Sequence, residues 1–526
     1  MRVAVDRPVQ GRPDDPGDRG ISPAATGYPI SVPFLAEPGT GRAGALARFC
    51  SRHYIALAAS VLLLAAVNLG FRLDRELVTE WDEAMYSLSA SEMVASGNWV
   101  GTTIHGELDY YNAKPPLNVW LIAGSFKLFG QSLLSLRLPS AVAAWLAVLV
   151  LMTLARRTCG PAVALLAGVV LSTNFGFIFV HAGRSADPDA LLALLMLLTV
   201  TTLWAAHDKP SRLIWLGPVI AGVFLLKGMA AVLPLAMVLA AELGRRPLKP
   251  SRWTFLGAAS LLFLLPVGLW AALRWQLDGG QFLRRVVYND FIGHTMDVLD
   301  GHAHSPLFYL NLLQKHEYGW LIALTAALIL APIPREQWRR GLRYLSDRSA
   351  QGFVLLVWAA LTMVVPTMMR TKLPWYLNSF YPVFALGTAW ILVRALSIAR
   401  APRRRWILGA TIAIVFIAAE ARLAWYSVQY RDLTKSVQGL LLAERSQLDG
   451  QLVFATHWDN AETFVLRALV RGRTAVVSNL EEFLVCGSDG DYLLWSSALA
   501  DPALTLVRTD GRGWLYRRHA LRAGRR

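Results

Sequence analysis

The stretch Val78–Ser91, VTEWDEAMYSLSAS, puts two adjacent carboxylates, Asp82 and Glu83, directly after an apolar run that reads as a membrane span. A carboxylate at such a mouth can take the proton of a hydroxyl nucleophile, the work of a general base. It can also do something plainer. Thr79 and Asp82 form a T-x-x-D pattern, which caps a helix start, but that reading leaves Glu83 unexplained. Tyr86 falls four residues after Asp82, on the same face of the helix expected from about Glu80 to Ala95, where it can orient the carboxylate. A second acidic pair, Asp187 and Asp189, stands in HAGRSADPDA with Arg184 beside it to neutralise one of them; Asp187 is a catalytic candidate, and Arg184 and Asp189 are candidates for substrate contact. The two acids are equally suited to the first turn of a helix starting at Pro188, where the dipole favours negative charge.

Cations stand in two further stretches, Lys114 in DYYNAKPPLNVW and Arg370 with Lys372 in RTKLPWY. Each lysine precedes a proline within two residues, and rigid backbone suits a fixed phosphate contact. Arg370 suits snorkelling to the membrane surface. Tyr110, Tyr111, Trp375 and Tyr376 accompany the lysines and are candidates for substrate contact, although Tyr110 and Tyr111, with Trp99 and Trp120, also suit an aromatic belt. His302 joins them as a substrate-binding candidate. With His294 and His304 it raises the question of metal, but His302 and His304 share no helical face and no cysteine assists. No metal or other cofactor is therefore expected, and a divalent metal is the minor alternative.

These groups need elements to hold them. The chain of 526 residues is 55% hydrophobic and 17% charged, below the roughly 25% charged residues of a soluble domain. The apolar residues fall in blocks long enough to cross hydrocarbon, and the net charge of +16 is spread in clusters between the blocks. That distribution is the positive-inside pattern and excludes a nucleic-acid partner. Eleven spans follow: Tyr54–Phe71, Leu136–Ala155, Pro161–Val180, Pro188–Ala205, Leu213–Leu226, Met229–Leu243, Trp253–Leu273, Tyr318–Ile333, Gly352–Met368, Tyr376–Leu396 and Trp406–Ala424. The N-terminus is then cytoplasmic, and the acids, histidines and candidate lysines converge on the outer face of the plasma (inner) membrane. PPLNVWLIAGSFKLFG is too short to span and reads as an interfacial helix in the first outer loop.

Residues 1–45, rich in Pro, Gly, Arg and Asp, read as a disordered cytoplasmic tail, and residues 46–424 as the membrane domain. Residues 425–526 alternate between strand-like and helix-like stretches and are expected to form a small extracytoplasmic α/β domain. They carry no G-x-G-x-x-G and no Walker loop, so no nucleotide is assigned to them. The isolated cysteines Cys50, Cys159 and Cys486 indicate neither a disulfide framework nor a thiolate metal site.

WDEAMYSLSASEMVASGNWV, DYYNAKPPLNVWLIAGSFKLFG and LRLPSA, in that order, resemble the first outer loop of GT-C fold glycosyltransferases. The branch they resemble is the protein O-mannosyltransferase and lipid A aminoarabinose transferase superfamily (glycosyltransferase family 39-like). GRSADPDALL, LLKGMAAVLP and RTKLPWYLNSFYPVFAL resemble its later motifs, from Tyr54 to Leu396 in all. The resemblance implies a polyprenyl-phosphate sugar donor, transfer on the outer face to a glycan, lipid or protein acceptor, Asp82 as the catalytic aspartate, Asp187 in the second acidic motif, and Lys114 and Lys372 near the lipid phosphate. Aminoarabinose transferases commonly carry a metal-holding Glu just before the lysine of K-P-P; this chain has Ala113 there. That departure argues against a metal site and against lipid A as acceptor. A single displacement with inversion is expected, by analogy with inverting hydrolases. The rival is a transporter or flippase of lipid-linked sugars. It would carry its charges near mid-membrane and show internal repeats, and the sequence shows no such repeat.

Overall fold

In hydrocarbon every backbone N–H and C=O must find a partner within the protein, so long apolar blocks become helices. The computed structural model describes residues 48–112, 114–244, 250–288, 302–347, 351–429 and 431–519. The expected tail, Ala113 and His294 lie outside these residues.

The apolar helices are α1 (Tyr54–Gly70), α4 (Leu133–Cys159), α5 (Pro161–Ser172), α7 (Asp189–Ala205), α8 (Leu216–Lys227), α9 (Val232–Leu243), α10 (Pro250–Asp278), α11 (Phe308–Leu330), α13 (Gly352–Met368), α14 (Tyr381–Ile398) and α15 (Pro402–Gln429). Between α1 and α4 lie α2 (Asp82–Ser96), the hairpin of β1 (Thr103–Ile104) and β2 (Glu107–Leu108), and α3 (Leu117–Phe129); α6 (Phe175–Phe179) follows α5, and α12 (Arg335–Ser346) follows α11. By length and composition, five helical runs among the described residues are able to cross a membrane, with several shorter apolar helices beside them. The chain is a multi-pass membrane protein.

One of those five runs, Pro210–Leu243, is two helices and not one rod. Gly228, at φ 26° and ψ −88°, breaks it just after Lys227, a backbone that glycine adopts without a Cβ penalty. Lys227 then pairs with Asp189 at the start of α7. Glu242 pairs with Arg252, which also donates to the Ala206 carbonyl just past the end of α7. The chain therefore goes up α8 and returns down α9, as the sequence reading has it. The same contacts define two ends of the bundle. Asp189 and Lys227 mark the site end, whereas Arg156, Arg252 and the arginines of α12 mark a basic end.

The expected span Pro161–Val180 is corrected. It breaks at Thr173–Asn174 into α5 and α6, both buried in the bundle. Asn174 caps α6 through its Oδ1, and the Asn68 amide donates to the Ser172 carbonyl and to Glu420. Side chains thus satisfy backbone groups that the break would leave bare. Gly176 is required here, because a Cβ would collide with the ring and hydroxyl of Tyr381.

After α15, which runs past Ala424 to Gln429, the chain forms α16 (Val437–Ala443), β3 (Leu452–Ala455), α17 (Asn460–Phe464), β4 (Arg473–Val476), α18 (Leu480–Cys486), β5 (Tyr492–Trp495), β6 (Leu504–Thr509) and β7 (Trp514–Arg518). The sheet order is β4-β3-β5-β7-β6. β3 is parallel to β4 and β5, and β7 is antiparallel to β5 and β6. One face buries Phe454, Phe483 and Tyr516. On the other, Leu440, Leu466 and Leu515 belong to an apolar cluster continuous with Tyr86, Phe126 and Leu136, and Phe126 stacks on Phe464 with centroids 6.1 Å apart. Cys50 and Cys159 are buried, whereas Cys486 is exposed.

Candidate active site

Two buried arginines build the frame. Arg137, in the first turns of α4, donates to Glu83 at 2.7 Å and to the carbonyls of Leu73, Glu76 and Leu77. Its planar fork suits such a multiple role. Arg184 donates to Glu76 at 2.8 Å and to the carbonyls of Asn68 and Phe71. Two expectations are corrected here. Glu83 is 1% exposed and accepts from Arg137, Thr79 and the Ala186 amide. Burial disfavours its charge, but Arg137 outweighs that and pulls its pKa down to about 2. Its carboxylate is taken up by these bonds, and it serves as a frame residue. Arg184 neutralises Glu76, and neither Asp187 nor Asp189, and is spent on structure.

The T-x-x-D cap is also absent. Trp81 is the residue before α2, no side chain caps the helix, and Thr79 donates to Glu83. Asp82 is left facing Lys114, whose Nζ lies 3.4 Å from Oδ1 and 2.9 Å from the Tyr86 hydroxyl. Tyr86 therefore meets Asp82 through the lysine. The Asp109 carboxylate accepts from the amides of Tyr111 and Asn112 and shapes the turn that delivers Lys114. Tyr110 lies against Arg274, and Tyr111 is exposed beside Trp81.

The second acidic motif is pinned from three sides. Asn118 donates to the Ala186 carbonyl, Ser140 to the Asp187 carbonyl, and the Ala186 amide to Glu83. Asp187 is thereby held 1% exposed, with neither carboxylate oxygen hydrogen-bonded. Its ionic neighbour is His181, whose Nδ1 lies 3.3 Å away. His181 has φ 50° and stacks on Trp375 at 3.8 Å. Asp189 pairs with Lys227 at 2.8 Å, and that ammonium lies over the Tyr376 ring.

The charges act on one another. Burial works against the Asp82 carboxylate, but Lys114, His181 and Lys227 outweigh it and hold its pKa below the ordinary value of 3.8. Burial likewise works against the His181 imidazolium, but Asp187, Asp82 and Asp189 raise its pKa above 6.5. Asp82, His181 and Asp187 each bring a ligand atom to within 4.8 Å of the others. With the two unbonded Asp187 oxygens, they form a set able to hold a divalent cation, which would supply positive charge to a phosphate. The pair His302 and His304, to which the sequence reading assigns no metal, is not that set. The rings of His302 and His304 are 6.5 Å apart, and His302 enters through its carbonyl, which accepts from the Lys372 amide. The Lys372 ammonium rests on the Met369 carbonyl at 2.6 Å, not on the acids, and Arg370 is exposed.

Asp82, Tyr86, Lys114, Asp187, Asp189, Trp375 and Tyr376 are thus gathered at one end of the bundle. His181 and Lys227 join them although sequence reasoning did not single them out as site residues. The signals were a histidine opening the second acidic motif and a lysine ending an apolar run before glycine.

This arrangement has relatives. The dolichyl-phosphate-mannose-protein mannosyltransferase family model matches residues 113–270. The undecaprenyl phosphate-alpha-4-amino-4-deoxy-L-arabinose arabinosyl transferase of Pseudomonas aeruginosa is 30% identical over 363 residues, 67% of this chain and 62% of that protein. Its counterpart in Pseudomonas savastanoi pv. phaseolicola is 29% identical over 345 residues, 64% of this chain and 61% of that protein. The family and sequence matches support a GT-C glycosyltransferase of the protein mannosyltransferase and aminoarabinose transferase superfamily. It spans about three fifths of the length of these curated relatives. Its fold is that of the superfamily. The crystal structure of ArnT from Cupriavidus metallidurans bound to undecaprenyl phosphate matches with a TM-score of 0.64 at 17% identity, over 88% of this chain and 97% of that one.

Proposed function

We propose that the protein moves a sugar from a polyprenyl-phosphate donor to a hydroxyl of a glycan, lipid or protein acceptor, on the outer face of the membrane. Asp82 serves as general base in an inverting displacement. The observation that carries this reading is the loose Lys114–Asp82 contact. At 3.4 Å it is longer than the 2.7–2.9 Å of a strong charge-assisted bond. A donor phosphate offers Lys114 a better partner. When the lysine turns to the phosphate, Asp82 loses its chief neutralising neighbour and becomes more basic. Acceptor oxygen then attacks the anomeric carbon and its proton passes to Asp82. The anomeric C–O bond breaks, and the electron pair leaves on the phosphate beside Lys114.

Three carboxylates, Asp82, Asp187 and Asp189, face two lysines, Lys114 and Lys227. His181, whose imidazolium these acids favour, adds positive charge when protonated, and we propose a reaction without a resident metal. Relatives named for an undecaprenyl-phosphate sugar support the donor class. We take eleven crossings, the broken pair α5 and α6 together making one, with the N-terminus cytoplasmic and the C-terminal domain extracytoplasmic.

The test uses the purified chain in lipid nanodiscs, supplied with undecaprenyl-phosphate-linked sugars and scored by mass spectrometry for released undecaprenyl phosphate. Release that depends on an acceptor supports the reading, and survives chelation of divalent metal. Activity abolished by a chelator and restored by stoichiometric metal would overturn the metal-free part and assign Asp82, His181 and Asp187 as ligands. Movement of lipid-linked sugar across liposomes without any transfer would sink the enzyme and leave a flippase.

A further inference from the structure

The chain entering the site is held by the far end of the sequence. Segment Arg75–Glu80 lies between α1 and Asp82, and several of its polar groups bond to residues after Tyr430. The Leu77 amide donates to the Arg431 carbonyl, and the Leu433 amide to the Arg75 carbonyl. Glu76 and Asp432 form an antiparallel bridge. Gln438, on α16, grips Val78 with its whole amide: Oε1 accepts from the Val78 amide at 2.8 Å, and Nε2 donates to the Val78 carbonyl at 2.9 Å. Val78 is 1% exposed and Gln438 7%. Two residues on, Glu80 accepts from the Asn460 and Ala461 amides at the start of α17.

Beyond these ties stands Trp81, at φ 71° and ψ −115°. A bulky residue there is strained, and such strain persists only where surrounding structure imposes it. Asp82 is the next residue. Glu83, on its other side, is anchored to Arg137. Asp82 is therefore fixed between two clamps, one built by the membrane domain and one by the C-terminal domain.

We propose that the C-terminal α/β domain is a positioning element for the active site, and that Gln438 is its principal positioning residue, setting where Asp82 stands relative to Lys114. The catalytic half of this inference rests on the function proposed above; the clamp itself does not. A purely stabilising domain would bury apolar surface against the loop, as this one also does. It would have no need to bond the backbone of the residues that lead into a strained turn at the base. Releasing Val78 lets Trp81 relax, and a displacement of about 1 Å at a reacting group costs on the order of a hundredfold in rate.

The test compares the full chain with Gln438→Leu, which loses both bonds at similar volume, and Gln438→Glu, which keeps only the acceptor. Glu80→Ala cuts the second tie from an exposed position and guards against a variant that fails to fold. Hydrogen exchange is read by mass spectrometry in nanodiscs. It should accelerate at Leu77 and Val78 in Gln438→Leu by about tenfold, while β3 and β5 stay protected. The kcat for undecaprenyl phosphate release should fall by about ten- to a hundredfold. Binding of undecaprenyl phosphate should stay within about threefold, because Lys114 is untouched. Gln438→Glu should fall between. Unchanged exchange at Leu77 and Val78 would overturn the clamp. Raised exchange with an unchanged kcat would overturn the positioning role and leave only a stabilising one. If the unmodified chain releases no undecaprenyl phosphate from any lipid-linked sugar, the proposed function fails, and exchange alone decides whether the clamp exists.

Discussion

Asp82 and Glu83 are neighbours in sequence with opposite fates, and substitution should separate them. Asp82→Asn keeps the shape and removes the base, so transfer should drop by about 10²–10⁴ while the protein folds and binds undecaprenyl phosphate. Transfer within a few-fold of the unmodified protein would hand the role to another group. Glu83→Ala strands a buried guanidinium and should cost about 3–5 kcal/mol, read as a lowered Tm. His181 adds a pH signature. Its pKa lies above the ordinary 6.5 because Asp187, Asp82 and Asp189 outweigh burial. The imidazolium's contribution is then complete below 6.5 and is lost as pH rises through the raised value. Transfer should decline on that alkaline side, and His181→Gln should remove the dependence; a profile identical in the variant would refute it. The convergence of Asp82, Lys114 and Asp187 was legible in the sequence because each motif falls at an end of an apolar block that the alternation of basic clusters assigns to the same side. The true office of Glu83 was not, since its partner Arg137 stands 54 residues away and looks like the head of an ordinary span. Lys227 was similarly hidden, because only the fold brings it to Asp189.

At the scale of elements, periodicity and the basic clusters located the apolar helices, and the short pair around Gly228 was read correctly as out and back. What they could not show was the break at Thr173–Asn174. The residues that tolerate it, Asn68 and Glu420, come from other helices, and a polar dipeptide in an apolar run carries no sign of such partners. The junction between α17 and the loop before α2 has its own acid chemistry. Burial, Asp459 and Glu80 push the Glu462 carboxyl from 4.5 up to about 7, and burial raises Asp459 as well. A carboxyl with a raised pKa favours the docked, protonated form, so docking stability is complete below 4.5 and is lost as pH rises towards about 7. Thermal unfolding of the domain should move down in temperature across that window, and Glu462→Gln should flatten the curve. A Tm that climbs over the same window would contradict the assignment.

For the whole molecule, orientation can be read from a native thiol. Cys486 is exposed on the C-terminal domain, while Cys50 and Cys159 are buried. A membrane-impermeant maleimide added to intact cells should label the protein, and Cys486→Ser should abolish the signal. Protection of Cys486 in intact cells, with labelling only after lysis, would invert the topology and with it the outer-face reaction. Helix α10 has a further consequence. Only 17% of its most apolar window is buried, so most of that window lies on the outside of the bundle. Buried arginines stand near both of its ends, Arg252 beside Glu242 and Arg274 beside Asp278. At about 1.5 Å per residue they lie roughly 33 Å apart, close to the ~30 Å of a bilayer's hydrocarbon core. Arg274 also lies under Tyr110, in the loop that delivers Lys114. On the proposed function, that spacing makes the helix a ruler that would set Lys114 at the level of the lipid headgroups, where the phosphate of a polyprenyl carrier would lie. Membranes thicker or thinner than the ruler would mismatch carrier and site, and turnover in bilayers of graded acyl length should peak where the two heights agree.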